Sequence, residues 1–167
     1  AWGDVDLDGD IDLVCVRKQP FTSAGRDTNI LFMNEGIAEG HAINGVLMDR
    51  TADYAVASDV SGDQGFLTPT NDRDVVLADL NGDGWLDMAT APTLTDNSQK
   101  HLSHPRIYIN LGESGGVWQG FRFEDARIPE MHPTAGPRFC SVAAGDVDGD
   151  GDLDLYFGDY DSGGSQI

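Results

Sequence analysis

An acidic nonapeptide that occurs three times constrains the fold of this chain more than any other feature. Residues 4–12 read DVDLDGDID, residues 79–87 read DLNGDGWLD and residues 146–154 read DVDGDGDLD; all fit D-x-[DN]-x-D-G-x-[IL]-D, with starts 75 and 67 residues apart. Self-similarity at such a spacing marks a repeat architecture, each copy being one supersecondary unit. Small or apolar stretches precede the copies (residues 1–3, 75–78 and 142–145), and apolar runs follow them (13–16, 88–90 and 155–158). Strand-length runs on both sides place each acidic segment in the turn of a β-hairpin.

The similarity continues downstream. Residues 29–36 (NILFMNEG) match residues 106–112 (RIYINLG), aligning Asn34 with Asn110, and a fourth run follows at 46–49 and at 121–125. The unit is thus four short strands with the acidic loop between the first and second. No long stretch has helical periodicity, and Gly, Pro, Asn and Asp recur at intervals a helix would not tolerate. The expected fold is all-β, a partial β-propeller of four-stranded antiparallel blades. Residues 1–58 supply most of one blade, 72–130 a full blade and 137–167 the first half of a third. The polar segments 17–28 and 92–105 connect second and third strands, and 51–71 joins the first unit to the second. Since propellers have 4–8 blades, the expected neighbours are the remaining blades, as further chain or as other subunits. The Ala1-Trp2-Gly3-Asp4 start lacks the basic and apolar regions of a signal peptide and an initiator Met, which reads as a processed or partial chain.

Composition narrows the chemistry. Of the 167 residues 24 are Asp and only 5 are Glu, and thirteen of those Asp lie in the three nonapeptides. The net charge of −19 disfavours nucleic acid and anionic membrane surfaces, which bind through clustered Lys and Arg. No apolar run approaches the ~18 residues of a membrane span, so neither nucleic acid nor membrane insertion is expected. With 40% of residues apolar and regularly spaced, the chain reads as folded rather than as an acidic disordered segment.

Three or four carboxylates held within about 5 Å of one another repel unless a cation sits among them, and calcium accepts six to eight oxygens without strict geometry. Three calcium sites are expected. Positions 1, 3 and 5 supply side-chain oxygens: Asp4, Asp6 and Asp8; Asp79, Asn81 and Asp83; Asp146, Asp148 and Asp150. Glycine at position 6 (Gly9, Gly84, Gly151) permits the sharp reversal. Position 7 (Asp10, Trp85, Asp152) offers its backbone carbonyl, position 9 (Asp12, Asp87, Asp154) closes the shell, and the apolar position 8 (Ile11, Leu86, Leu153) tethers the loop to the core. An EF-hand would need Glu at position 12, where this chain has Cys15, Thr90 and Phe157. One such loop alone could be a solvated Asp/Gly turn; three in matched strand contexts favour metal.

These strings, AWGDVDLDGDIDLV, VVLADLNGDGWLDMAT and SVAAGDVDGDGDLDLYFGDYD, with NILFMNEG and RIYINLG downstream, resemble FG-GAP/VCBS repeats, found also in integrin α-subunit propellers and in proteins related to cartilage acidic protein. The Phe-Gly and Gly-Ala-Pro elements are not intact here, which favours the VCBS-like branch. The resemblance implies a seven-bladed propeller with calcium in its hairpin loops, in an extracellular, cell-surface or periplasmic protein serving adhesion or recognition. The functional expectation is a non-catalytic module binding a protein or glycan. Its alternatives are an accessory propeller of a secreted polysaccharide-acting enzyme or a structural subunit of a surface assembly.

Other constellations carry less. His101 and His104 form H-x-x-H in a polar segment, and His41 and His132 sit in other loops; exposed loop histidines are the expectation. No G-x-S-x-G, H-E-x-x-H or phosphate-binding glycine loop occurs. Trp85 is expected to project from its loop and Trp2 to pack between blades. Asp159 and Asp161 read as a solvated acidic turn. Cys15 and Cys140 fall in units two apart and read as buried free thiols.

Overall fold

The computed structural model describes residues 1–19, 25–93, 99–130 and 138–159. His132 and Asp161 lie outside them. The first unit is a four-stranded antiparallel sheet in chain order: β1 (Trp2–Gly3), β2 (Asp12–Cys15), β3 (Ile30–Glu35) and β4 (Val46–Asp49). Leu13 pairs with Trp2 on one side and with Phe32 on the other, and Phe32 in turn with Asp49.

The linking segment adds structure that no sequence pattern signals. It folds into the one-turn helix α1 (Thr51–Tyr54) and the two-residue strand β5 (Ala57–Ser58). The second unit follows with β6 (Asp72–Ala78), β7 (Asp87–Pro92), β8 (Arg106–Asn110) and β11 (Phe121–Phe123); a second one-turn helix, α2 (Lys100–Ser103), precedes β8, and a small hairpin, β9 (Glu113–Ser114) and β10 (Val117–Trp118), precedes β11. The sheet runs β6-β7-β8-β11 antiparallel, with β5 added parallel to β11 as a fifth, outermost strand. β5 therefore belongs to the sheet of the second unit, although it precedes that unit in the chain. The third unit is the hairpin β12 (Phe139–Gly145) and β13 (Asp154–Asp159). The architecture is mostly β, built of small antiparallel sheets.

Strand alternation assigns the faces. Val14, Leu31 and Met33 of the first sheet pack with Met88, Tyr108, Phe121 and Phe123 of the second, with Ala55 and Phe66 of the linker closing the cluster. On the other face of the second sheet, Ala89, Ala91, Ile107 and Ile109 pack with Phe139, Val142 and Phe157 of the third hairpin. The second sheet is thus buried on both sides, and every residue of β7 and β8 is buried. Aligned on their loops, Leu13 and Cys15 correspond to Met88 and Thr90, and Val14 to Ala89. The face of the first sheet bearing Leu13 is therefore the counterpart of the face that the second sheet packs onto the first. On that face Trp2, the pairing partner of Leu13, is 63% exposed rather than packed between sheets.

An ion pair is buried inside this stack. Arg106, fully buried, forms a bidentate pair with Asp63 of the linker at 3.0 Å and donates to the carbonyls of Gly65 (3.2 Å) and His101 and to the Tyr108 hydroxyl (2.7 Å). Its guanidinium carbon sits 3.6 Å from the centre of the Phe123 ring. All five N–H donors are directed at acceptors, the condition under which burying an ion pair is tolerable.

Candidate metal centre

Each acidic nonapeptide forms the turn of a hairpin: β1–β2, β6–β7 and β12–β13. The turns share a backbone scheme. Glycine at position 6 has φ of 98° (Gly9), 91° (Gly84) and 96° (Gly151), as its spacing requires. Position 4 is also left-handed, with Gly82 at 74°, Gly149 at 80° and Leu7 at 58°. This second reversal costs a side-chain-bearing residue about 1–2 kcal/mol, and Leu7 alone bears one.

The position 1 carboxylate nucleates the turn by accepting backbone amides across it. Asp4 accepts from Gly9 (3.1 Å), Asp79 from Gly82, Asp83 and Gly84 (2.8–3.1 Å), and Asp146 from Gly149 and Gly151 (2.7 and 3.0 Å). Positions 3 and 5 each accept the amide two residues on, so Asp8 holds Asp10, Asp83 holds Trp85 and Asp150 holds Asp152.

Position 9 has a role that its residue type does not reveal. Asp12 accepts the Val5 amide at 3.0 Å and the Asn34 amide at 2.9 Å; Asp87 accepts those of Leu80 (3.0 Å) and Asn110 (2.8 Å); Asp154 accepts that of Val147 (3.0 Å). Asp12 and Asp87 are buried, and each staples its own loop to the third strand of its unit. In the first and second loops the position 2 side chain tethers the loop to the core, whereas in the third Val147 is 69% exposed. Val5 is fully buried and Leu80 packs against the second cluster, whereas Ile11 and Leu153 are exposed. The signal for this is present in the sequence, since position 2 is Val, Leu and Val in the three copies. Leu86 is the position 8 residue that does pack, against Gly3, where a Cβ would lie 2.9 Å from Leu86 Cδ1.

The loops differ in how far they gather carboxylates. Oxygens of Asp4, Asp6 and Asp8 lie within 4.8 Å of one another, as do those of Asp146, Asp148 and Asp154. Asp10, Asp150 and Asp152 stand outside these triads. In the second loop Asn81 donates its side-chain amide to Asp83 at 2.9 Å, so its carboxylates are engaged by N–H donors, and Asp79, Asp83 and Asp87 form no such triad. Trp85 does not project freely; its ring lies against Gly112 and it is half-buried.

Burial raises the proton affinity of carboxylates in the first and second loops. Burial, reinforced by the charges of Asp8, Asp12 and Asp4, pushes Asp6 up to about 6. Burial likewise raises Asp12, and raises Asp87 to about 6 against the pull of its backbone hydrogen bonds. Asp4 Oδ1 is buried and has no hydrogen-bond partner. A buried carboxylate oxygen left unpaired is costly, and here it stands in the same triad as Asp6. Both features fit a hard cation bound to the oxygens of Asp4, Asp6 and Asp8; the gathered oxygens of Asp146, Asp148 and Asp154 could hold another.

His41 pairs with Glu35 at 2.7 Å, and the Arg50 hydrogen bonds at 2.5 and 2.9 Å bring Glu35 down to about 2. His104 is buried, not exposed, with Nδ1 3.0 Å from Ser103 Oγ; that hydroxyl is itself 3.0 Å from the Gln99 carbonyl. Cys15 and Cys140 are free thiols and half-buried. Asp159 ends β13, where its carboxylate accepts the Arg138 amide at 3.2 Å.

Comparison with known families bears on these loops directly. Residues 79–157 carry an FG-GAP-like repeat. The matched stretch opens on position 1 of the second loop and runs through the third loop into β13. No curated protein and no solved structure matches the chain.

Proposed function

We propose that this chain is part of a calcium-stabilised β-propeller that works outside the cell, or in the periplasm, as a rigid binding module for a protein or glycan, and not as a catalyst. One observation carries the reading: the three units repeat the same loop and stack in the same sense, each placing equivalent residues against its neighbour. On this reading the stack continues onto further blades of the same protein or onto neighbouring subunits.

The calcium assignment draws on the oxygen-only triads and on Asp4 Oδ1. Asp4, Asp6, Asp8 and the carbonyl of Asp10 would form the first site, with Asp12 holding the loop in place behind them. Asp146, Asp148 and Asp154 would form the core of the third. In the second, Asn81 would present its carbonyl oxygen beside Asp79 and Asp83. Bound calcium supplies the positive charge that lets these carboxylates share a turn; the chain supplies the geometry. Millimolar calcium outside cells suits such sites, which is the basis for the proposed location.

Thermal melts with calcium and with excess chelator test the metal. A ligand at 100 times its Kd adds about 2.7 kcal/mol, so chelation should lower Tm by several degrees; superimposable melts would sink the calcium reading. Arrays of glycans and of candidate protein ligands, probed with and without calcium, test recognition. Calcium-dependent capture is the expected result, and turnover of a polysaccharide by this chain would overturn the non-enzymatic assignment.

A further inference from the structure

The first and second acidic loops are joined through one amide side chain. Asn110, the last residue of β8, is 2% exposed. Its Nδ2 donates to the Val5 carbonyl of the first loop at 2.7 Å and to the Leu86 carbonyl of the second at 3.2 Å. Its Oδ1 accepts the Gly112 amide at 3.0 Å and the Trp118 indole N–H at 2.8 Å, while its own backbone N–H donates to Asp87 at 2.8 Å. Both amide hydrogens and both carbonyl lone pairs are engaged. Because its partners are two carbonyls and two N–H donors, the side chain fits in one orientation only.

The positions of these partners matter. Val5 lies between Asp4 and Asp6, and Leu86 between Trp85 and Asp87, so each carbonyl is one residue from groups assigned to a metal site. A second contact runs in parallel, since Gly3 at the foot of the first loop lies against Leu77 and Leu86 on either side of the second. Asn34, the counterpart of Asn110, makes the same backbone bond to Asp12 at 2.9 Å, yet its Oδ1 is buried without a hydrogen-bond partner. In that unit the equivalent glycine, Gly36, gives its amide to Glu39 instead, at 2.6 Å. The bridging arrangement of Asn110 is thus a property of the junction between units.

We propose that Asn110 couples the first and second loops, so that they bind calcium with positive cooperativity. This rests on the reading that both loops take calcium. An ion at Asp4, Asp6 and Asp8 fixes the Val5 carbonyl, which fixes the Asn110 amide and with it Leu86 and Asp87. The second ion then meets a loop already ordered, and by reciprocity the effect runs both ways. Asn110 is a positioning residue and touches no ion itself.

Calcium titration of the full 167-residue chain by NMR, following the Gly84 amide for the second loop and Gly9 for the first, tests this. Disabling the first loop with Asp4→Ala and Asp6→Ala should weaken calcium binding at Gly84 at least about five-fold, the lower end of ordinary coupling. In an Asn110→Ala background the same changes should weaken it less than two-fold. Trp118→Phe, which frees Asn110 Oδ1 from one partner while keeping an aromatic ring in the core, should give an intermediate loss should Asn110→Ala fold poorly. Coupling is refuted if Gly84 titrates identically with the first loop disabled, or if the loss persists undiminished without the Asn110 amide; calcium binding itself would then still stand. A Gly84 amide indifferent to millimolar calcium in the unaltered chain would refute both the second site and the coupling.

Discussion

The first and third acidic loops are near copies, DVDLDGDID and DVDGDGDLD, yet they sit in different surroundings. Val5, at position 2 of the first, is 0% exposed because the second sheet covers it; Val147, at the same position of the third, is 69% exposed. Asp12 is buried with both oxygens on backbone amides, while Asp154 is half-buried and stands within the triad. The loop sequence sets the turn, and the following unit sets its burial. Raised proton affinity at Asp6 and the stranded oxygen of Asp4 come with the buried loop.

That contrast can be broken at position 9 first. Asp12→Ala strips a buried site of acceptors for two backbone amides and should cost about 2–4 kcal/mol, whereas Asp154→Ala should cost about 1 kcal/mol; paired urea titrations without calcium decide it, and equal costs would refute the distinction. Position 2 comes next. Val5→Ala should destabilise by about 2 kcal/mol and Val147→Ala by less than about 0.5 kcal/mol, again by urea titration.

A smaller effect depends on pH. Asp6 and Asp87 have folded-state values of about 6, above the usual carboxylate range, so the folded chain binds protons that the unfolded chain has released. Stability without calcium should therefore fall as pH rises from about 4 through about 6. Calcium should reverse the slope, because protons then compete with the ion. Melting temperatures across that interval, with and without chelator, check the sign. Least of all, Leu7→Gly should stabilise by up to about 1 kcal/mol by removing a side chain from left-handed backbone. Gly149→Leu in the third loop should do the opposite, and both read out in the same urea titration.

Much of this was legible from periodicity. The order of strands in the first unit, the placement of every acidic loop in a hairpin and the glycine at position 6 follow from patterns repeated in the chain. What depends on a neighbouring unit is harder to read. Strand β5 is two residues without alternation, recruited because β11 offers an open edge. Asp63 and Arg106 are 43 residues apart, and nothing local announces that they meet. Asp12 and Asp87 look like ordinary ligands because an aspartate that holds backbone amides and one that holds a cation are the same residue type. Three equal motifs read as three equal sites; Asn81, which turns its amide on Asp83, leaves carboxylate triads in two.

The buried Arg106–Asp63 pair has a consequence for how this protein comes apart. Lifting the linker from the second sheet would leave a bare guanidinium against Phe123 in an apolar interior, a state far costlier than fraying an uncharged edge. Linker and sheet are consequently bound to open in a single event, and a protease that nicked the exposed turn around Gly62 would leave two pieces still clasped together.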